Sequence, residues 1–245
     1  YIVNASFRRD GSTRFGPDNR WGNFGAVGAA WVFSDENWMK QFTWLTHGKL
    51  RGSYGSVGSD NIGYYDYLAS WASSNSAYVY DGSNGLVPAR IANPLYRWEE
   101  TRKTEFGLEL GFLQNRILFN AGYYHSLTDN QLIDLSLTPQ AGFSSLRDNF
   151  NAVVQNNGWE MDVTTVNVQR DHFNWSTSFN ITIPKNTLKK FDGIESSVYR
   201  DKYVVGEPLT IEKGYQFLYV GAHDGVPVFW TKDGSGGRPT QYTDY

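Results

Sequence analysis

The sequence contains no cysteine, which excludes disulfide bonds, cysteine-ligated zinc and thiol nucleophiles. It also has no run of about 18 apolar residues, the length that marks a membrane-spanning helix. The four histidines do not have the spacing of metal ligands. The net charge of -3 argues against nucleic acid as a main partner. The missing cysteines and the histidine spacing thus argue against a metal site, and the missing apolar run argues against a membrane-spanning helix.

The carboxylates show no pattern typical of an enzyme. Glu99 and Glu100 are neighbours and would point to opposite faces of a strand. Glu105 and Glu109 would share a face, but lie roughly 13 Å apart along a strand, too far for a glycosidase pair. The sequence has no Gly-x-Ser-x-Gly motif and no phosphate-binding loop. We therefore expect no enzyme activity and no cofactor.

Aromatic residues are abundant: the 245 residues include 9 Trp, 16 Tyr and 15 Phe. Trp and Tyr combine an apolar body with a polar end, so they suit surfaces that meet both lipid and water. The chain opens at Tyr1 in a strand-like pattern without a signal peptide. We therefore expect it to be an internal piece of a longer protein.

Side-chain polarity alternates with a period of two along most of the chain, which predicts β-strands. Phe106, Leu108, Leu110 and Phe112 alternate with Glu and Gly, and Phe179, Ile181 and Ile183 alternate with Asn, Thr and Ser. The non-apolar positions are mostly Gly, Ser, Asn, Thr and Glu. This composition favours the polar lumen of an antiparallel transmembrane β-barrel over the Lys-rich outer face of a soluble sandwich. A secreted β-sandwich lectin or adhesin is the alternative.

Seven strands are predicted, and the lengths of their connections alternate. The strands are placed at residues 1–15, 22–35, 48–58, 97–113, 116–131, 149–169 and 174–188. Gln114-Asn115 and residues 170–173 form short turns, whereas residues 59–96 form a long extracellular loop. Residues 192–245 are a further extracellular loop region, with a possible short strand at Tyr203–Leu209. Short turns on one side and long loops on the other are typical of an outer-membrane barrel.

Six sequence motifs, in order, resemble those of the SusC/RagA-like TonB-dependent outer-membrane transporters. They are Ser6 to Gly16 (SFRRDGSTRFG) with Asn19 to Gly22, Ala30 to Glu36 (AWVFSDE), Lys49 to Gly55 (KLRGSYG), Asn93 to Glu99 with Thr104 to Leu108, Asn157 to Glu160 (NGWE), and Gly206 to Leu209 (GEPL). The resemblance runs from Tyr1 to about Phe229. It identifies the chain as the C-terminal barrel portion of such a transporter.

The resemblance implies a plugged barrel of roughly 22 strands, of which residues 1–245 hold about seven. The plug and the closing strands would lie outside this chain. A SusD-like surface lipoprotein would cover the barrel, and the TonB complex would pull on the plug. The cargo would be a large glycan or peptide, and the location a Bacteroidetes-like outer membrane. A structural role in a larger envelope assembly, built on a transporter barrel, is a further alternative.

Two groups of residues are candidates for function. Inward-facing side chains would line the lumen, where they contact the plug or guide cargo: Arg8, Lys49, Arg51, Glu105, Glu109, Glu160, Asp162 and Asn180. Aromatic residues of the long loop would contact cargo or the lipoprotein lid: Tyr64, Tyr65, Tyr67, Trp71, Tyr78 and Tyr80. Outward Trp31, Phe33, Tyr54, Trp159 and Trp175 are candidates for interfacial girdles.

Overall fold

The computed structural model describes residues 1–73, 79–80, 83–137, 140, 142–143, 145–231 and 233–238. The strands in chain order are β1 Ile2–Gly11, β2 Trp21–Val32, β3 Leu45–Ser59, β4 Ser70–Ser73, β5 Val79–Tyr80, β6 Ser83–Asn84, β7 Leu86–Arg90, β8 Glu99–Phe112, β9 Ile117–Asp129, β10 Gln131–Ser136, β11 Ser145–Phe150, β12 Ala152–Arg170, β13 Phe173–Phe191, β14 Phe217–Val220, β15 Pro227–Trp230 and β16 Gly236–Gly237. Short 3-10 helices lie at Pro17–Asn19, Phe33–Asp35 and Ile194–Ser196. Among the described residues, no helix has the length and apolar character needed to cross a membrane.

One antiparallel sheet dominates the structure. Its seven strands follow the order β1-β2-β3-β8-β9-β12-β13, so each long strand pairs with the next long strand along the chain. This up-and-down order needs no crossover connection, because consecutive antiparallel strands join through simple turns. All seven strands predicted from the alternation are present, which confirms that part of the analysis.

The connections of this sheet differ between the two ends of its strands, which we call edges. At one edge, called the turn edge, β8 joins β9 through Leu113 to Arg116, and β12 joins β13 through Asp171-His172. Gln114 and Asn115 have φ angles of 58° and 63°, so this tight turn uses the left-handed region. At the other edge, the loop edge, the intervening segments carry shorter strands of their own. These include the hairpin β10–β11, the pair β4–β7 and the three-stranded sheet β14-β15-β16.

The register divides the sheet into two chemically different faces. Paired residues share a face, and successive residues alternate between faces. The apolar face includes the row Ala29, Gly52, Phe106, Tyr123, Trp159 and Ile183 and the row Trp31, Leu50, Leu108, Ala121, Met161 and Ile181. The polar face includes the row Lys49, Glu109, Asn120, Asp162 and Asn180.

The apolar face is not covered by a second sheet in the described part of the chain. Phe106 is 60% exposed and Phe179 is 61% exposed. A β-sandwich would bury these side chains between its sheets. The described residues therefore do not form a β-sandwich.

Buried apolar side chains collect at the loop edge instead. One group, the first-hairpin cluster, consists of Phe15, Ile62 and Tyr96. A second group, the β12–β13 cluster, consists of Ala152, Val154, Leu188 and Phe191. The hydrophobic packing of this chain thus stabilises the loops, whereas hydrogen bonding between strands holds the sheet.

Two segments differ from the sequence-based expectation. β1 ends at Gly11 rather than at residue 15, because Phe15 leaves the sheet and is fully buried against Ile62 and Tyr96. Tyr203–Leu209, where a short strand was expected, forms turns, with Gly206 at a φ of 99°. The strands of this last region are β14, β15 and β16.

Candidate functional site

A chain of alternating charges crosses the polar face between β3 and β8. Lys49 Nζ lies 3.2 Å from Glu109 Oε2, and Arg51 Nε lies 3.3 Å from Glu109 Oε1. Arg51 also approaches Glu105 at 4.0 Å, and Lys103 forms an ion pair with Glu105. Lys49 and Glu109 are register partners, which accounts for their direct contact. We call these five residues the charge ladder.

Beside the charge ladder, the polar face becomes acidic and amide-rich. Asn120 Nδ2 donates a hydrogen bond of 2.9 Å to Asp162 Oδ2, and Asn186 Nδ2 donates one of 2.6 Å to Asn156 Oδ1. Arg51, Glu109, Asn120, Glu160, Asp162 and Asn180 line a shared recess of about 430 Å³. Six charged or amide side chains around one recess can bind water, polar cargo or polar protein groups.

Arg8 shares the polar face but lies outside this recess. Its Nε forms an ion pair of 3.1 Å with Asp10, and its guanidinium lies 5.5 Å from the Phe24 ring centroid. The structure therefore brings the other candidate lumen-facing residues to the sheet centre and leaves Arg8 near the loop edge. Lys103 and Asn120 were missed, although the same alternation places them on this face.

The first hairpin and the long loop meet through polar contacts. Ser12 Oγ donates a hydrogen bond of 2.7 Å to Asp60, and Arg14 NH1 lies 3.5 Å from Asp60 Oδ1. The Arg14 guanidinium also lies 4.7 Å from the Tyr64 ring centroid. Tyr64 is still 70% exposed, so one ring face remains available for a ligand.

Arg90 holds the next turn of the long loop in place. It forms an ion pair of 2.6 Å with Asp66 and donates to the carbonyls of Tyr65 and Leu68 at 2.9 and 3.1 Å. Tyr65 is exposed on this turn, with a φ of 61°. A backbone fixed at both ends presents the Tyr65 ring in a defined position.

The remaining candidate loop aromatics have different surroundings. Tyr67 packs against the first-hairpin cluster, which gives it a structural role. Trp71 lies on β4 and is 63% exposed. Tyr78 lies outside the described residues, as does the side chain of Tyr80 in β5. Of the six candidate loop aromatics, Tyr64, Tyr65 and Trp71 are therefore the ones exposed on the described surface.

A polar network ties the hairpin β10–β11 to the long loop. Arg147 makes a bidentate pair with Asp134, at 2.8 and 2.9 Å, and lies 4.0 Å from Asp66. The hydrogen bonds from Arg147 lower the pKa of Asp134. Asn93 Nδ2 donates to Asp148 Oδ1 at 2.9 Å. These contacts join segments far apart in sequence into one outer surface.

Tyr96 lies beneath this network with its hydroxyl buried. The hydroxyl has no hydrogen-bond partner among the described residues. Burial raises the pKa of Tyr96 to about 12, since the phenolate would lose its hydration. This phenol is therefore neutral at ordinary pH.

Aromatic side chains border the apolar face near the turn edge. Trp44 stacks on Phe112 with ring centroids 5.8 Å apart, and Trp31 Nε1 donates a hydrogen bond of 3.0 Å to Glu36. Trp175 lies near the same edge on β13, whereas Tyr54 lies toward the loop edge on β3. Trp44 was missed because it precedes β3 and has no place in the alternation.

The described residues contain no group of three or more His, Asp or Glu that could hold a metal ion. The geometry instead consists of a sheet with one apolar and one charged face and with elaborated loops at one edge. A family model described as TonB dependent receptor-like, beta-barrel, matches residues 1–237. The chain belongs to this family. The antiparallel transmembrane barrel predicted from the sequence is thereby confirmed, and the seven strands form an unclosed part of it.

Relatives and solved structures agree with this assignment. The chain is 34% identical to TonB-dependent receptor P39 of Formosa agariphila over 96% of the chain and 22% of that protein. It is 30% identical to TonB-dependent receptor SusC of Bacteroides thetaiotaomicron over 81% of the chain and 20% of that protein. The RagAB peptide importer in its closed-closed state matches with a TM-score of 0.83 and 25% identity, over 98% of this chain and 27% of that chain.

The resemblance to SusC/RagA-like TonB-dependent proteins is thus confirmed. The chain spans about a fifth of the length of the curated relatives that it matches. These relatives are named as receptors, in line with the expectation of a non-enzyme.

Proposed function

We propose that the complete protein imports a large nutrient, a glycan or a peptide, across a bacterial outer membrane. Energy would come from the TonB complex acting through a plug, and a SusD-like surface lipoprotein would cover the barrel. The observation that carries the proposal is the two-faced sheet, apolar on one side and charged on the other, with the connections that carry additional strands at one edge. Membership of the TonB dependent receptor-like family supports the proposed TonB dependence.

The dimensions of the apolar face fit a bilayer. On β13, apolar side chains of this face extend from Phe173 and Trp175 to Ile183, and the next residue of the face is Lys185. From Phe173 to Ile183 the strand rises roughly 34 Å, which is about 26 Å of depth at a tilt of about 40°. An outer-membrane barrel has an apolar band about 25 Å tall. The apolar face would therefore contact lipid.

The polar face would then line the lumen, where charged side chains meet the plug, water and cargo. Glu109 and Glu105 partly neutralise Lys49, Arg51 and Lys103. Glu160 and Asp162 have no ion pair with a basic side chain in the described part of the chain. Carboxylates without basic partners can receive cations from the plug or the cargo. Arg8 and Asn180 complete the proposed lumen-facing set.

The loop edge would face outward, since long loops of such barrels are extracellular. Residues 59–96 and 192–245 would then meet the lipoprotein or the cargo. Tyr64, Tyr65 and Trp71 are exposed there, and Tyr78 and Tyr80 remain predictions of the same kind. Exposed aromatic rings stack on apolar sugar faces and on peptide side chains, which suits either cargo class.

Uptake by cells that carry the full-length protein tests this proposal. The probes are a fluorescently labelled oligosaccharide ladder and a labelled peptide digest. We expect uptake of one probe class to stop on deletion of the protein, on deletion of the lipoprotein, and on addition of a protonophore. Equal uptake in all strains, with an envelope assembly that disintegrates on deletion, would favour the structural alternative.

A matched pair of variants tests the loop aromatics. The double variant Tyr64→Ala, Trp71→Ala removes two exposed rings, while Leu86→Ala removes an exposed apolar side chain from β7, which pairs with β4. We expect the double variant to lose at least about tenfold in probe affinity or lipoprotein co-purification, and Leu86→Ala to lose little. If the double variant and Leu86→Ala bind the probe and the lipoprotein equally well, Tyr64 and Trp71 contact neither of them.

A further inference from the structure

The apolar face is not evenly filled. A groove of about 560 Å³ crosses it, because Ala29, Gly52 and Ala121 leave space between larger neighbours. Trp31, Phe106 and Trp159 are among the rings that border the groove. Trp159 is itself held by Tyr123, with ring centroids 5.1 Å apart. A concave apolar strip of this kind accepts an extended hydrocarbon chain.

A row of hydrogen-bond donors lies next to the groove on the loop-edge side. Thr104 pairs with His125, His125 pairs with Asn157, and Asn157 pairs with Lys185. These four residues occupy four adjacent strands and share the apolar face. Because neighbouring strands lie about 4.8 Å apart, the row is roughly 14 Å long. We call it the donor row.

The donor row and the groove are joined by the strands themselves. His125 follows Tyr123 by two residues, and Asn157 precedes Trp159 by two, so each pair shares a face. Two residues of a strand rise about 7 Å, and on β13 Lys185 is the first residue of this face past the apolar stretch that ends at Ile183. The donor row therefore lies where the lipid headgroups of one leaflet would begin.

The chemistry of the donor row selects an anion. Lys185 is exposed and positively charged, and Asn157 Oδ1 already accepts a hydrogen bond of 3.0 Å from Gln155, which leaves the Asn157 amide protons for a ligand. The complete row, with Ala5, Val27 and Tyr54 added, contains no carboxylate. The nearest acidic residues of this face, Glu100 and Asp129, lie two rows farther toward the loops and contact Arg102.

We propose that the groove and the donor row together bind one phosphorylated glycolipid of the outer leaflet. An acyl chain would lie across Gly52 and Ala121, and a headgroup phosphate would accept hydrogen bonds from His125, Asn157 and Lys185. The inference rests on the membrane orientation given under the proposed function. A second barrel is a poorer occupant, because apposed copies would bring the positive charges of their Lys185 side chains together.

Native mass spectrometry of the detergent-purified full-length protein tests this proposal. The probes are monophosphoryl lipid A, the same lipid without its phosphate, and phosphatidylethanolamine. We expect one retained monophosphoryl lipid A and about tenfold weaker retention of the dephosphorylated form. Equal retention of all three lipids would show that the headgroup is not recognised and would overturn the assignment.

Three variants separate the parts of the site. The double variant His125→Gln, Lys185→Gln should reduce phosphate-dependent retention about tenfold, and Ala121→Leu, which fills the groove, should reduce retention of both lipid A forms. Lys40→Gln removes a charge near the turn edge and should change nothing. Equal losses from Lys40→Gln and the double variant would indicate nonspecific charge attraction, and full retention by Ala121→Leu would contradict the groove.

Lipid retention is measured on the purified protein and does not depend on transport. A gel-mobility shift on heating shows that each variant has folded into a barrel before lipid is counted. If the wild-type protein does not enter the outer-membrane fraction, the proposed function fails. If it enters and imports cargo but retains no phosphorylated lipid, only the lipid site fails.

Discussion

Arg51 lies across Gly107, and a Cβ atom on Gly107 would stand 2.6 Å from Arg51 Nε. The two are register partners on the polar face, so the missing side chain on β8 makes room for the guanidinium on β3. From this position Arg51 Nε reaches Glu109 at 3.3 Å. A glycine in a strand often marks such a close approach.

The substitution Gly107→Ala should therefore displace Arg51 from Glu109. Gly122 pairs with Gly107 in the same row, but a Cβ there would have its nearest contact at 3.8 Å, so Gly122→Ala is the matched control. Because the ion pair is partly exposed, we expect Gly107→Ala to be less stable than the control by about 1 kcal/mol or less. Urea unfolding of the full-length protein in lipid vesicles measures the difference, and a more stable Gly107→Ala would contradict the packing.

A charge on the apolar face should impair membrane folding. Phe179→Arg places a guanidinium near the middle of the β13 apolar stretch, and we expect a cost of roughly 2–4 kcal/mol at the bilayer midplane. Ser178→Arg is the control, because Ser178 lies on the polar face, where its hydroxyl is 3.2 Å from that of Thr164. Folding yield into lipid vesicles should fall for the first variant only. Equal folding yields for the two variants would contradict the assignment of Phe179 to the lipid-facing side of the sheet.

The strands of the sheet could be predicted because the alternation that marks them lies within each strand. Alternation along each strand fixes the two faces, and a one-residue slip would place Phe106 or Phe179 on the wrong face. The strand ends were less predictable. Gly11 ends β1 because Phe15 packs on Ile62 and Tyr96, and that contact depends on residues about 50 and 80 positions away.

The candidate site was predictable in part for the same reason. Glu105, Glu109 and Arg51 follow from the alternation, but their ion pairs depend on the register between β3 and β8, which alternation does not determine. The sequence located the aromatic residues of the long loop, but it did not distinguish the exposed ones from those that pack inside the loop. Only packing distinguishes Tyr67, which contacts a buried cluster, from Tyr64, which stays exposed.

Acid should loosen the hairpin β10–β11. Hydrogen bonds from Arg147 lower the pKa of Asp134 below its ordinary value of 3.8. A lowered folded-state pKa means that the stabilisation is complete above the unfolded pKa and is lost as the pH falls through the folded one. Hydrogen exchange in β10 and β11, normalised to an unprotected peptide, should therefore accelerate below about pH 4.

The variant Asp134→Asn serves as the control for this pH dependence. It removes the titrating group, so its exchange should be faster at neutral pH and insensitive to the same acid step. Exchange in the wild-type hairpin that is unchanged between pH 7 and pH 3 would show that the pair with Arg147 does not stabilise the loop.

Removal of the hydroxyl should change the stability of the loop edge in opposite directions at two tyrosines, Tyr96 and Tyr199. The Tyr96 hydroxyl is buried without a partner among the described residues, whereas the Tyr199 hydroxyl donates to the carbonyl oxygen of Asp134. A buried, unsatisfied hydroxyl costs about 1–3 kcal/mol, so Tyr96→Phe should be neutral or stabilising. Tyr199→Phe should destabilise the loops by roughly 1 kcal/mol, because it removes a hydrogen bond.

Limited trypsin digestion of the folded full-length protein measures both effects, since neither substitution changes a cleavage site. Tyr199→Phe should be cleaved at the loop edge about fivefold faster than the wild type, the ratio that corresponds to roughly 1 kcal/mol. Tyr96→Phe should be cleaved at the same rate or more slowly. Faster cleavage of Tyr96→Phe would mean that its hydroxyl binds an ordered water within the network of Asp66, Arg147 and Asp148.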